Sequence, residues 1–128
     1  MQTLLIADDN RLSRELLRDV LESAECRVVE AVDGGEALRR VEAERPDVVL
    51  LDLEMPVKNG FEVLAALRSD PRFSGIPVVA VTARAMGPDR ERVIRAGFDA
   101  YFTKPIDAAA MRRRVRELAG VPGSGGRR

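Results

Sequence analysis

Three aspartates, one hydroxyl and one lysine are the side chains of this 128-residue sequence best placed to do chemistry. Asp8 and Asp9 follow an apolar run that ends at Ala7. Asp52 follows one that ends at Leu51. Thr82 closes a third, and Lys104 follows a fourth, directly before Pro105. If those runs are neighbouring strands, all five side chains meet at one edge of a sheet. Three carboxylates held that close repel one another and raise each other's pKa. A hard divalent cation relieves the repulsion, and Mg²⁺ or Mn²⁺ accepts a few carboxylates together with water and phosphate oxygens. Beside such a cation a carboxylate acts as a nucleophile toward phosphorus and becomes an acyl phosphate. The cation, the Lys104 ammonium and the Thr82 hydroxyl would share the charge on the phosphoryl oxygens.

Taken singly, each residue has an ordinary explanation. Asp9 or Asn10 caps a helix, Asp52 makes a turn, Thr82 finishes a strand or caps a helix, and Lys104 is a solvated charge. The conjunction is what carries weight, because stability alone does not select three carboxylates at one edge.

The elements that must position them are legible from periodicity. Leu4 to Ala7, Val28 to Val32, Val48 to Leu51, Ile76 to Val81 and Ala100 to Thr103 read as five strands. The third is nearly all apolar, as in a sheet covered on both faces. Leu12, Leu16, Leu17, Val20 and Leu21 recur at helical spacing. Further helices read over Glu36 to Glu44, Phe61 to Ser69, Pro88 to Ala96 and Ile106 to Leu118. Asp33-Gly34-Gly35 reads as a turn, and Glu54 to Gly60 as a loop rich in breakers. Five β-then-α units predict an α/β fold with a doubly wound parallel sheet flanked by five helices. In such sheets ligands bind beyond the carboxyl ends of the strands, where the five candidate residues fall. Residues 1–119 form one domain on this reading, and 120–128, made of Gly, Ser, Pro, Val and Arg, a flexible tail or truncated linker.

Composition narrows the classes. The formal net charge is +0, which gives no overall attraction to nucleic acid or an anionic membrane. Histidine is absent, so the chain has no imidazole base or histidine ligand of its own. The single cysteine, Cys26, has no internal disulfide partner. No apolar stretch approaches the ~20 residues of a membrane span, and the short apolar start lacks the features of a signal peptide. A cytoplasmic location is expected. Lys58 and Lys104 are the only lysines among 21 basic residues, which draws the eye to both.

At this point the sequence resembles a response-regulator receiver domain of the CheY-like kind, from two-component signalling. The resemblance rests on Asp8-Asp9, Asp52-Leu53-Glu54-Met55-Pro56 with Asn59-Gly60, Thr82-Ala83 and Lys104-Pro105, in that order. It implies a five-stranded sheet in the order 2-1-3-4-5. It implies Asp52 as phospho-acceptor from a histidine kinase or histidine phosphotransfer protein. Asp9, Asp52 and the Glu54 carbonyl would bind Mg²⁺ directly and Asp8 through water; Thr82 and Lys104 would hold the phosphoryl group; and the Lys104–Pro105 bond would be cis. The resemblance also implies a switch made of Thr82 and Tyr101, read by an output domain or downstream protein at the face of the last two helices and the fifth strand. Phe102, Ile106 and Met111 lie near that face in sequence. Leu12, at the start of the first helix, is a candidate for kinase docking or for the core. Catalysis would be confined to the domain's own phosphorylation and dephosphorylation.

Departures from the family pattern are Glu25, where a glycine is common after the first helix, and Asn59, where an aspartate is common. Glu54 and Arg84 flank the expected phosphoryl site. Three rival readings follow. A haloacid-dehalogenase-type Mg²⁺-dependent phosphatase shares the strand-end aspartate, but its second aspartate would fall at Glu54, and 128 residues leave little room for a cap domain. A nucleotide or flavin module would need a glycine-rich first loop, where this chain has Asp8-Asp9-Asn10. A receiver-like binding module that is never phosphorylated would have no use for the complete residue set.

Overall fold

The computed structural model describes residues 2–23, 25–83 and 87–120. Ten elements alternate along the chain: β1 (Gln2–Ala7), α1 (Arg11–Leu21), β2 (Cys26–Ala31), α2 (Gly34–Glu44), β3 (Val48–Asp52), α3 (Gly60–Ser69), β4 (Val78–Thr82), α4 (Gly87–Ala96), β5 (Ala100–Thr103) and α5 (Ala108–Leu118). The strands form one parallel sheet in the order β2-β1-β3-β4-β5.

The apolar runs are strands because both sheet faces are covered. Successive strand residues point to opposite sides, and here both sides are apolar. Leu4, Ile6, Leu50, Val79 and Val81 pack with Leu17 and Leu21 of α1 and Met111, Val115 and Leu118 of α5. Leu5, Ala7, Val49, Leu51 and Ala80 pack with Ala37 and Val41 of α2, Val63, Leu64 and Leu67 of α3, and Val93 of α4. Leu4, Leu5, Ile6, Leu50 and Leu51 are essentially inaccessible. Full burial of each such side chain stabilises by about 1.5–3 kcal/mol.

Several ends differ from the sequence reading. Asp33-Gly34-Gly35 is not a free turn: the Asp33 carboxylate accepts the Glu36 amide at 2.7 Å and caps α2, which begins at Gly34. Asp107 likewise caps α5 by accepting the Ala110 amide, so Ile106 lies before that helix. Asn59 and Glu62 form a reciprocal capping box on α3, so the asparagine that departs from the family pattern has a local structural use. Helix α1 closes at Glu22 in an extended conformation, Ser23 and Cys26 exchange backbone bonds at 3.2 Å, and the Glu25 carbonyl accepts the Gln2 amide at 2.9 Å. Met111 is fully buried, because it lies on the inward face of α5; it is not part of any exposed face. Arg84 and the tail beyond 120 lie outside the described residues.

The β3–α3 loop is pressed onto α2. The Gly34 amide donates to the Pro56 carbonyl at 3.4 Å, and a Cβ on Gly34 would sit 2.0 Å from the Lys58 carbonyl oxygen. No side chain fits there without moving the backbone. Gly34→Ala is therefore expected to lower unfolding free energy by about 1–3 kcal/mol. Gly75→Ala, where a Cβ meets nothing within 4 Å, serves as the control and should change little. Denaturant unfolding of both variants measures the difference; equal effects would contradict the close approach.

Candidate functional site

The carboxyl ends of β1, β3, β4 and β5 converge. Asp8 lies one residue beyond β1, Asp52 is the last residue of β3, Thr82 the last of β4, and Lys104 follows β5. The Lys104 ammonium donates to Asp8 Oδ2 at 2.9 Å, to Ser13 Oγ at 3.0 Å and to Asp52 Oδ2 at 3.3 Å. The second oxygen of each carboxylate is also engaged: Asp8 Oδ1 accepts the Asn10 amide at 2.8 Å and Asp52 Oδ1 the Glu54 amide at 3.0 Å. Side-chain exposure is 1% for Asp8, 12% for Asp52 and 23% for Lys104.

Asp8, Asp9 and Asp52 each place an oxygen within 4.8 Å of the others. With Lys104 alongside, three negative charges face one positive, leaving a formal charge of minus two. An all-oxygen, carboxylate-rich set of that charge fits Mg²⁺ or Mn²⁺. The Glu54 side chain is exposed and stands outside this set.

The electrostatics follow the burial. Desolvation pushes the Asp52 carboxyl above the usual carboxylate range; the Glu54 amide pulls against it, the Asp8 charge adds to it, and Lys104 opposes it. For Lys104, desolvation alone would lower the ammonium, but Asp8 and Asp52 outweigh it and the net direction is up.

Local structure holds the loops in place. Asn10 caps α1 by accepting the Ser13 amide at 2.9 Å. Asp9 faces the cleft instead, in a cavity of about 440 Å³ shared with Glu54, Phe61, Thr82 and Arg92. Arg14 donates to the Asp8 carbonyl at 2.8 Å and to Glu30 at 2.9 Å, and Glu30 also accepts Arg18 at 2.7 Å. Gly60 is obligatory beside Asp52, since a Cβ there would come 2.7 Å from the Asp52 carbonyl oxygen. The Lys104–Pro105 bond is cis.

By strand alternation Asp8, Asp52 and Lys104 lie toward α1 and α5, whereas Thr82, in phase with Val78 and Ala80, lies toward α3 and α4. Tyr101 packs on that same α3–α4 side, half-buried. Phe102 and Ile106 pack on the opposite side. Leu12 is 64% exposed and Leu16 57%, so the first helix presents an apolar pair to solvent and the core alternative for Leu12 is excluded. Ser13 and Arg14 were not legible as site residues. Nothing in their type marks them; only the placement of α1 brings them to Lys104 and Asp8.

Residues 4–116 match the family described as response regulator receiver domain. The chain belongs to the receiver-domain family. This receiver domain is 35% identical over 119 residues to the polar-differentiation response regulator DivK of Brucella anthropi, covering 93% of this chain and 97% of that one. Its fold is similar to a response regulator structure from Chloroflexus aurantiacus J-10-fl, with a TM-score of 0.87, 28% identity, and 93% and 98% of the two chains covered. It is also similar to the receiver domain of a sensor histidine kinase from Pseudomonas aeruginosa PAO1, with a TM-score of 0.84, 31% identity and the same coverage; that structure has a magnesium ion coordinated in its active-site cleft. The dehalogenase, flavin-module and unphosphorylated-module readings are not favoured by these matches. Among the described residues, no helix is long and apolar enough to cross a membrane.

The raised Asp52 pKa has a consequence for stability. A carboxyl whose folded pKa lies above its unfolded value contributes stability that is present below the unfolded pKa and lost as pH rises through the folded one. At neutral pH without divalent cation, ionised Asp52 therefore disfavours the folded receiver. Asp52→Asn should raise the thermal midpoint in chelator-treated buffer at neutral pH, and the gain should shrink as pH falls through the folded pKa of Asp52. Parallel melts across pH check this; a variant less stable than wild type at neutral pH would contradict it.

Proposed function

We propose that this receiver domain accepts a phosphoryl group on Asp52 from a phosphohistidine and changes conformation in response. The observation that carries the reading is the Lys104 ammonium held between Asp8 and Asp52, with Asp9 within 4.8 Å of both. A carboxylate oxygen of Asp52 attacks phosphorus. The P–N bond breaks with its electron pair left on the imidazole nitrogen, and a proton on the far ring nitrogen lets the donor leave as neutral imidazole. Lys104 and the Thr82 hydroxyl take the phosphoryl oxygens as charge moves onto them. Asp9, Asp52 and the Glu54 carbonyl would hold a Mg²⁺ or Mn²⁺ ion, with Asp8 contributing through water, and such an ion would supply further neutralisation of the same oxygens. In dephosphorylation, water attacks phosphorus, the P–O bond to Asp52 breaks with its electron pair left on the carboxylate, and the phosphoryl group leaves as inorganic phosphate carrying the water's oxygen and protons.

Thr82 and Tyr101 form the switch. They lie on one side of the sheet, so a Thr82 hydroxyl drawn toward the phosphoryl group leaves space that the Tyr101 ring takes up. Moving a two-state element from 1:99 to 99:1 takes about 5.5 kcal/mol of differential stabilisation. The output domain or downstream protein would read the groove between α4, β5 and α5, which includes Ile94, Tyr101 and Arg113. The histidine kinase or phosphotransfer protein would dock beside Leu12 and Leu16. The reading carries with it a cytoplasmic location, where ATP-dependent kinases make phosphohistidine.

Incubation with acetyl phosphate and Mg²⁺ tests the proposal. Intact mass should rise by one phosphoryl group, the gain should vanish in Asp52→Asn, and Lys104→Ala should slow it by about 10²-fold. Continuous release of phosphate from phosphate esters, with no gain in mass, would contradict it.

A further inference from the structure

We infer that Ser13 is a positioning residue for phosphoryl transfer: its hydroxyl is the neutral tether that holds the Lys104 ammonium in place while the contact with Asp52 is exchanged. The consequence for transfer rests on the acyl-phosphate reading above; the tether itself does not.

An ammonium carries three hydrogens and no acceptor. Here each has its own partner: Asp8 at 2.9 Å, Ser13 at 3.0 Å and Asp52 at 3.3 Å. The longest of the three is to the proposed nucleophile. When an Asp52 oxygen becomes part of an acyl phosphate it loses its full negative charge, and Lys104 must turn that hydrogen toward a phosphoryl oxygen. The two shorter bonds then keep the ammonium at the site. A carboxylate in place of Ser13 would set four negative charges against one positive. An aliphatic side chain would leave one ammonium hydrogen to water and let the flexible lysine swing.

The hydroxyl is well placed for this because its helix turn is clamped from two directions. The Ser13 amide is fixed by Asn10 Oδ1 at 2.9 Å. Its neighbour Arg14, only 13% exposed, grips both the Asp8 carbonyl and Glu30. The turn that carries Ser13 is thus tied to the loop that carries Asp8, and the distance from Ser13 to Lys104 cannot drift independently of the carboxylates.

The two lysines make the test direct. Lys58 is exposed on the β3–α3 loop and serves as an internal reference for amine acylation of Lys104, read by peptide mass. In Ser13→Ala, labelling of Lys104 relative to Lys58 should rise several-fold. Phosphorylation by acetyl phosphate with Mg²⁺ should fall by about tenfold, the scale of one hydrogen bond to a charged group. Ser13→Thr, which keeps the hydroxyl, should restore both, and circular dichroism checks that each variant is folded. The inference is overturned if folded Ser13→Ala matches wild type in labelling and rate, or if Ser13→Thr behaves like the alanine variant. Wild type that never gains a phosphoryl group would overturn the acyl-phosphate reading instead, and the labelling arm would still decide the tether.

Discussion

One cation between two carboxylates organises this molecule. Lys104 leaves the end of β5, and its ammonium reaches Asp52 at the end of β3 and Asp8 beyond β1. Strands in a sheet lie about 4.7–4.9 Å apart, and β4 intervenes between β5 and β3. A long, unbranched side chain with a compact charge and three donors suits that reach. Arginine is the usual cation of this chain, with lysine only at 58 and 104; a planar guanidinium would not place three hydrogens on three separate acceptors around one point.

The arrangement is costly in isolation. Asp8 is almost fully buried, Asp52 is partly buried, and Asp9 adds a third negative charge close by. At Asp52, burial and then the Asp8 charge disfavour the ionised form. The packed layers on both sheet faces supply the stability that lets such an edge persist, and the clamps around it are specific. Arg14 and Glu30 fix the turn of α1, the Asn59–Glu62 capping box fixes the start of α3, and Gly34 and Gly60 allow the β3–α3 loop to lie flat. Val57 in that loop takes φ 71, a conformation costly for a β-branched residue, so local strain is accepted in the loop that follows Asp52.

Much of this could be read from the amino-acid sequence, for identifiable reasons. Strand and helix placement follow from apolar runs alternating with 3.6-residue periodicity, the strand order is implied by the family resemblance, and the edge position of Asp8, Asp52, Thr82 and Lys104 follows from where those runs end. Element ends were less legible, because caps compete with turns for the same residue types. Asp33-Gly34-Gly35 has the composition of a turn but is a cap and the first two residues of α2. Met111 has the type of an exposed interface residue as readily as of a core one, and only the pitch of α5 decides. Ser13 and Arg14 carried no signal in type or spacing; their roles exist only once α1 is laid beside β1.

The central claim is that this edge is built to hold a divalent cation against three carboxylates. Its most direct measurement is the thermal midpoint of the phosphate-free protein as a function of Mg²⁺ concentration. A ligand that binds only the folded state stabilises by RT ln(1 + [L]/Kd), so the midpoint should climb with the logarithm of Mg²⁺ above a saturable threshold in wild type and stay flat in Asp9→Asn. A wild-type midpoint indifferent to Mg²⁺, or one raised equally in Asp9→Asn, would contradict the account.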